Sequence, residues 1–163
     1  MKKQIATSKL NKMERISTFK DFVGELTVNY SRTKIALTKI TSSEKASGFM
    51  RSYFKDIIDD HEEVKILHLN KNNGIVNVQH LTSGSDCASI VPIKDILRSA
   101  ILIKVSGIIM FHNHPSGNLN PSEADIDITK KLKEACSLLE IKLVDSIILT
   151  QEGFYSLHDN NKF

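Results

Sequence analysis

The chain has little of what would assign a function by composition alone. Its two cysteines, Cys87 and Cys136, are isolated, with no CxxC pair and no regular spacing. This excludes a disulfide framework and a thiolate zinc site, and two reduced, buried thiols are expected. The excess of positive charge is small, with 22 Lys+Arg against 19 Asp+Glu. Apart from Lys2, Lys3, Lys9, Lys12 and Arg15 near the start, the basic residues are spread along the chain. Phosphate binding needs clustered positive charge on one surface, so a nucleic-acid partner has no support from charge. No segment approaches the roughly eighteen apolar residues of a membrane span, and the opening MKKQIATSKLNKMERIS lacks a signal sequence's apolar core. The expectation is a cytoplasmic protein with no membrane association. Repeats and low-complexity tracts are absent, and no feature bears on oligomeric state.

What is present is enough for one good core. With 163 residues and 40% hydrophobic content, the chain is too short for two comfortable domains. The expected organisation is an N-terminal tail and strand extension over residues 1–40 and a principal domain over 41–163. Residues 1–20 are mostly polar and basic without a sustained period, which suits a tail or a loosely attached helix. FVGELTVNY alternates as a strand does. Thr41-Ser42-Ser43-Glu44 opens like a capped helix, and Ala46, Phe49, Met50, Tyr53, Phe54, Ile57 and Ile58 follow at three- and four-residue spacing. EVKILHLN and IVNVQHL flank an Asn-Gly turn, the signature of a hairpin. After a TSGSD loop and a CASIV run, Pro92 suits the first turn of a helix through IKDILRSAILIK.

SGIIMF is apolar on both faces, as a central strand would be. A helix from Glu123 to about Leu139, a buried strand IKLVDSIILT, a QEG turn and a final FYSL complete the chain. Strands and helices alternate in the second half but not at the hairpin. The pattern predicts an α/β (α+β) fold, a mixed β-sheet with helices on both faces in three layers.

The chemistry concentrates in FHNHPSGNLNPSEAD, residues 111–125. Along a strand, residues i and i+2 point to one face, so His112 and His114 can aim both imidazoles at one point. A helix starting after Pro121 would bring Asp125, on its first turn, back over the strand end. Two imidazole nitrogens and a carboxylate oxygen, with a fourth position left to water, make a catalytic zinc set. A plainer reading competes: Ser122-Glu123-Ala124-Asp125 fits a capping box, with Ser122 as N-cap and Asp125 turned back onto the backbone. The paired histidines weigh toward the metal, because each ring brings a polar nitrogen that packing alone does not need. Other metal motifs fail. His61-Glu62 begins like HExxH, but position 65 is Lys, and the Pro-Cys-x-x-Cys of zinc deaminases is missing. His61, His68, His80 and His158 read as ordinary surface or partly buried histidines.

With these residues in view, the sequence resembles the RadC-like branch of the JAMM (JAB/MPN) zinc metalloproteases. The resemblance rests on His112-Asn113-His114-Pro115-Ser116-Gly117, on Asn120-Pro121-Ser122, on Asp125, and on the helix and IKLVDSIIL strand that follow. It extends back through HEEVKILHLNKNNGIV and covers roughly residues 41–157. It implies a three-layer fold of the JAMM/cytidine-deaminase-like kind, Zn2+ held by His112, His114 and Asp125, and a glutamate from an earlier segment acting on the metal-activated water. The family places that glutamate just before the strand that is VKILHLN here, which implies Glu62, with Glu63 as the neighbouring alternative. Two departures stand out: residues 1–40 show no helix-hairpin-helix pattern, and Asp145-Ser146 stands where the family often has Asp-His.

The implied activity is that of a zinc-dependent metallopeptidase or isopeptidase, with an unidentified peptide or isopeptide as substrate. Glu62 would accept the water's proton and return it to the leaving amine, and Ser122 would donate a hydrogen bond to the oxyanion. A non-catalytic zinc-binding module and a metal-dependent DNA-processing accessory protein are the alternatives. Specificity would lie in loops such as residues 82–86 and 118–120.

Overall fold

The computed structural model describes residues 37–81 and 91–163, together with the backbone of two short strands nearer the start. Those strands, β1 (Glu14–Ser17) and β2 (Val23–Leu26), pair antiparallel. They belong to a compact unit of residues 1–35, and residues 36–163 form a second. At Glu14–Ser17 the chain is a paired strand where a tail or loose helix was expected, and the other residues of 1–20 lie outside the described residues. Four residues carry too little pattern to show a period, and the extended conformation comes with the pairing to β2. The rest of FVGELTVNY, the TSGSD loop, Cys87 and the 82–86 loop lie outside the described residues.

The second unit begins its regular structure with helix α1 (Ser43–Phe54), where the Ser42 hydroxyl accepts from the Lys45 N–H at 3.2 Å. Ala46, Met50 and Phe54 recur at four-residue spacing and are buried. Strands β3 (Val64–Leu69) and β4 (Ile75–His80) form the hairpin. Its connection is longer than a two-residue Asn-Gly turn. The Asn70 side chain accepts from the N–H groups of Asn72 and Gly74, and Asn73 takes the left-handed conformation at φ 56°. Helix α2 (Ile93–Ile103) has Pro92 at its N-cap, one position earlier than a first-turn proline, with no side-chain cap.

Strand β5 (Gly107–Asn113), helix α3 (Glu123–Leu138) and strands β6 (Lys142–Leu149) and β7 (Phe154–Ser156) follow. The five-stranded sheet has the order β4-β3-β5-β6-β7. Only the β5–β6 pair is parallel, joined by the crossover helix α3. Strand β5 is thus central and buried along its whole length.

Alternation along the strands builds two cores. Val64, Ile66, Ile108, Met110 and Leu143 pack with Ile96 and Ala100 of α2 and with Leu132 and Cys136 of α3. Leu67, Leu69, Ile109, Phe111, Ile147 and Leu149 pack with Ala46, Met50 and Phe54 of α1. Each fully buried Leu, Ile or Phe contributes about 1.5–3 kcal/mol of transfer free energy, so both faces of the sheet are sources of stability. This is the mixed sheet with helices on both faces that the pattern predicts. Among the described residues, no helix is long and apolar enough to cross a membrane.

Candidate metal centre

The central strand carries its apolar run to Phe111 and ends in polar residues. On β5, Ile108, Met110 and His112 share the face toward α3, so the strand hands its first imidazole to the place where α3 begins. His114 follows one residue past the strand. The His112 and His114 Nε2 atoms approach to 3.1 Å. From α3, Asp125 Oδ1 lies 3.1 Å from His112 Nε2, and Oδ2 lies 3.7 Å from His114 Nε2. Tetrahedral zinc with bonds of about 2.0–2.1 Å separates its ligand atoms by about 3.3 Å, which these three distances bracket. A Glu62 carboxylate oxygen completes the group, and all four ligand atoms lie within 4.8 Å of one another.

Local hydrogen bonds decide which atoms are free to bind. His114 Nδ1 lies 2.6 Å from the Asn118 carbonyl. A carbonyl only accepts, so Nδ1 carries the proton and Nε2 keeps its lone pair for a metal. The turn that brings Asn118 round runs from His114 to Gly117, closed by the Gly117 N–H on the His114 carbonyl at 3.0 Å. Gly117 has φ 76°, where a residue without Cβ is favoured.

The capping box is present in full. Ser122 Oγ accepts from the Asp125 N–H at 3.2 Å, and Asp125 Oδ2 accepts from the Ser122 N–H at 2.7 Å. The box uses Oδ2 and leaves Oδ1 turned to His112, so cap and ligand do not compete. Ser122 Oγ also donates to Asp125 Oδ2 at 2.6 Å, so its single proton already has an acceptor. Burial opposes ionisation of Asp125, but the bond to His112 and the two bonds from Ser122 outweigh it and hold this carboxyl well below the usual range.

The two candidate glutamates diverge. Glu63 turns to Lys65 Nζ and to His61 Nε2, the latter at 2.9 Å. Burial raises its pKa, and these two partners bring it below the ordinary value. Glu62 belongs to the ligand group, and Glu63 does not. The β3–β5 ladder ends with Val64 opposite His112, and Glu62 lies two residues before that pair. That pairing is the signal sequence reasoning missed. It also missed the Asn118 carbonyl and the side chain of Asn113, which bonds to residues 57–63.

His68 differs from the expectation of a surface or partly buried residue: it is fully buried on β3, and burial pushes its pKa down to about 4. Ser146, in place of the family's frequent histidine, is buried and bonded to the Thr129 hydroxyl at 3.1 Å.

Residues 40–162 match the RadC-like JAB domain. The chain belongs to that family. It is 37% identical to a UPF0758 protein of Flavobacterium johnsoniae over 129 residues, 79% of this chain and 56% of that protein. It is 34% identical to a UPF0758 protein of Enterococcus faecalis over 134 residues, 82% and 57% of the two chains. The match to a Thermotoga maritima UPF0758 protein is 35% over 103 residues, 63% and 46%. The chain thus spans about half the length of these curated relatives, whose names state no chemistry. For a RadC-like JAB domain, a group of Glu, His, His and Asp is a plausible seat for a metal cofactor.

Proposed function

We propose that this RadC-like JAB domain is a zinc-dependent hydrolase of amide bonds, a metallopeptidase or isopeptidase. The observation that carries the reading is the convergence of His112 Nε2, His114 Nε2 and Asp125 at the separations of a tetrahedral metal, with Glu62 beside them. Two imidazoles with one carboxylate favour zinc over magnesium, which prefers oxygen donors.

His112, His114 and Asp125 would hold the metal. When bound, Zn2+ supplies Lewis acidity and brings a coordinated water's pKa from about 15.7 toward about 7. Glu62 accepts a proton from the attacking water on a carboxylate oxygen and passes it to the departing amine nitrogen. Asn118 holds His114 in the tautomer that ligation needs. Ser122 serves the oxyanion only by giving up its bond to Asp125 Oδ2; an oxyanion contact is worth about 3 kcal/mol in the transition state. Peptide or isopeptide substrates would approach over the loop at residues 118–120.

The test is incubation of the zinc-loaded protein with a diverse peptide and isopeptide library, with Glu62→Gln as the blank. The reading expects cleavage that chelation abolishes and that the blank lacks. Cleavage no greater than the blank's across the library would overturn it and leave a zinc-binding module.

A further inference from the structure

His112 and His114 point toward α3, so strand alternation turns the residue between them to the α1 side of the sheet. There Asn113 is fully buried. Its Nδ2 donates toward the carbonyls of Ile57, Ile58 and His61 at 3.2, 3.1 and 2.8 Å, and its Oδ1 accepts from the Glu63 N–H at 2.8 Å. Three acceptors on one side and a donor on the other determine which way the amide faces. Its two protons serve three carbonyls, so at least one is shared.

All four partners lie in the stretch between α1 and β3, which has no strand pairing of its own. Its backbone bonds are turn bonds to near neighbours: Ile57 to Phe54, Asp60 and His61 to Ile57. The β3–β5 ladder ends at the Val64–His112 pair. Continued, it would set Glu63 against Asn113, and here the Asn113 side chain takes the Glu63 N–H. Its bonds to the His61 carbonyl and the Glu63 N–H bracket Glu62 on both sides.

We propose that Asn113 is the positioning residue for Glu62: by clamping residues 57–63 from the opposite face of the sheet, it sets the Glu62 carboxylate beside His112, His114 and Asp125. One tripeptide, His112-Asn113-His114, then supplies two ligands from one face and, from the other, holds the segment that brings Glu62 beside them. The role of Glu62 as base rests on the hydrolase reading, but its placement beside the metal does not. Neither aspartate nor serine reproduces the clamp. Aspartate offers carboxylate oxygens to three carbonyls, serine is too short to span them, and leaving several buried carbonyls unpaired loosens the segment.

The experiment compares the unaltered protein with Asn113→Ser, Asn113→Asp and Glu62→Gln, each loaded with Zn2+ or Co2+. Asn113→Ser should bind Zn2+ within about threefold of the unaltered protein, while its Glu63 amide exchanges with deuterium at least about tenfold faster. Its Co2+ visible spectrum should move to match that of Glu62→Gln. On a substrate that the unaltered protein cleaves, kcat should fall about tenfold or more with KM unchanged, and adding Asn113→Ser to Glu62→Gln should cost nothing further.

A folded Asn113 variant with unaltered spectrum and Glu63 exchange overturns the proposal. So does a loss of Zn2+ affinity as large as that of His112→Ala, because Asn113 would then act on the ligands. If neither Asn113 variant folds, nuclear magnetic resonance of the unaltered protein decides: slow exchange of the Asn113 side-chain NH2 supports the clamp, and fast exchange overturns it. Absence of turnover in the unaltered protein, with spectrum and exchange behaving as expected, would sink the hydrolase reading and leave the positioning intact.

Discussion

Asp125 gives one oxygen to the start of its own helix and turns the other to His112, where the proposed metal would lie. Asp125→Ala should therefore abolish stoichiometric Zn2+ and also cost the metal-free protein about 1 kcal/mol, read by metal analysis and by denaturant unfolding. Metal content unchanged in that variant would reduce Asp125 to a cap. His68 makes a separate prediction. Its pKa in the fold, about 4, lies below the unfolded value near 6.5, so the unfolded chain takes up the proton first. Its contribution is complete above pH 6.5 and is lost as pH falls from 6.5 through 4, by up to about 3 kcal/mol. His68→Leu should flatten the fall in melting temperature between pH 7 and 5. At this scale His112, His114 and Asp125 were legible because their geometry follows from strand alternation and a helix start within fourteen residues of chain. Separating Glu62 from Glu63 needed the family resemblance, since only a pairing with a distant strand decides which carboxylate faces the histidines. His68 misled because a histidine in a strand reads as at least partly exposed, whereas both faces of VKILHL are covered.

Among the elements, the turn from His114 to Gly117 does most to orient the site. Gly117→Ala meets no steric neighbour but strains a left-handed position, costing about 1 kcal/mol. By displacing the Asn118 carbonyl from His114, it should also weaken Zn2+ affinity about 10-fold or more, measurable by competition with a chromogenic chelator. A second prediction concerns the end of α2, where Lys104 closes the helix at φ 57° with its N–H on the carbonyls of Ala100 and Ile101. Lys104→Gly should stabilise the protein by up to about 1 kcal/mol without altering metal binding, checked by thermal unfolding. Helices α1 and α3 were readable from caps followed by apolar stripes, and β5 and β6 from apolar runs. The longer hairpin connection was not readable, because the Asn70 side chain selects it through bonds that no dipeptide rule contains.

For the whole molecule, the candidate ligands, Glu62 and both apolar cores belong to residues 36–163. A chain of those residues alone should fold and bind Zn2+ with the affinity of the full chain. Zn2+ at a thousand times its Kd should add about 4 kcal/mol to stability, reversed by chelator. The mixed sheet and two helix layers were legible from the alternation of elements, whereas the order β4-β3-β5-β6-β7 was not, since it depends on pairings between distant segments. The layout of the site also implies an order of assembly. His112, His114 and Asp125 are near neighbours in the chain, so closing the loop that joins them costs little entropy, whereas Glu62 arrives only when β3 finds β5 across some fifty residues. A refolding chain can therefore capture the ion before its sheet is complete. Zn2+ should accelerate refolding as well as stabilise its product, and Glu62→Gln should refold just as fast.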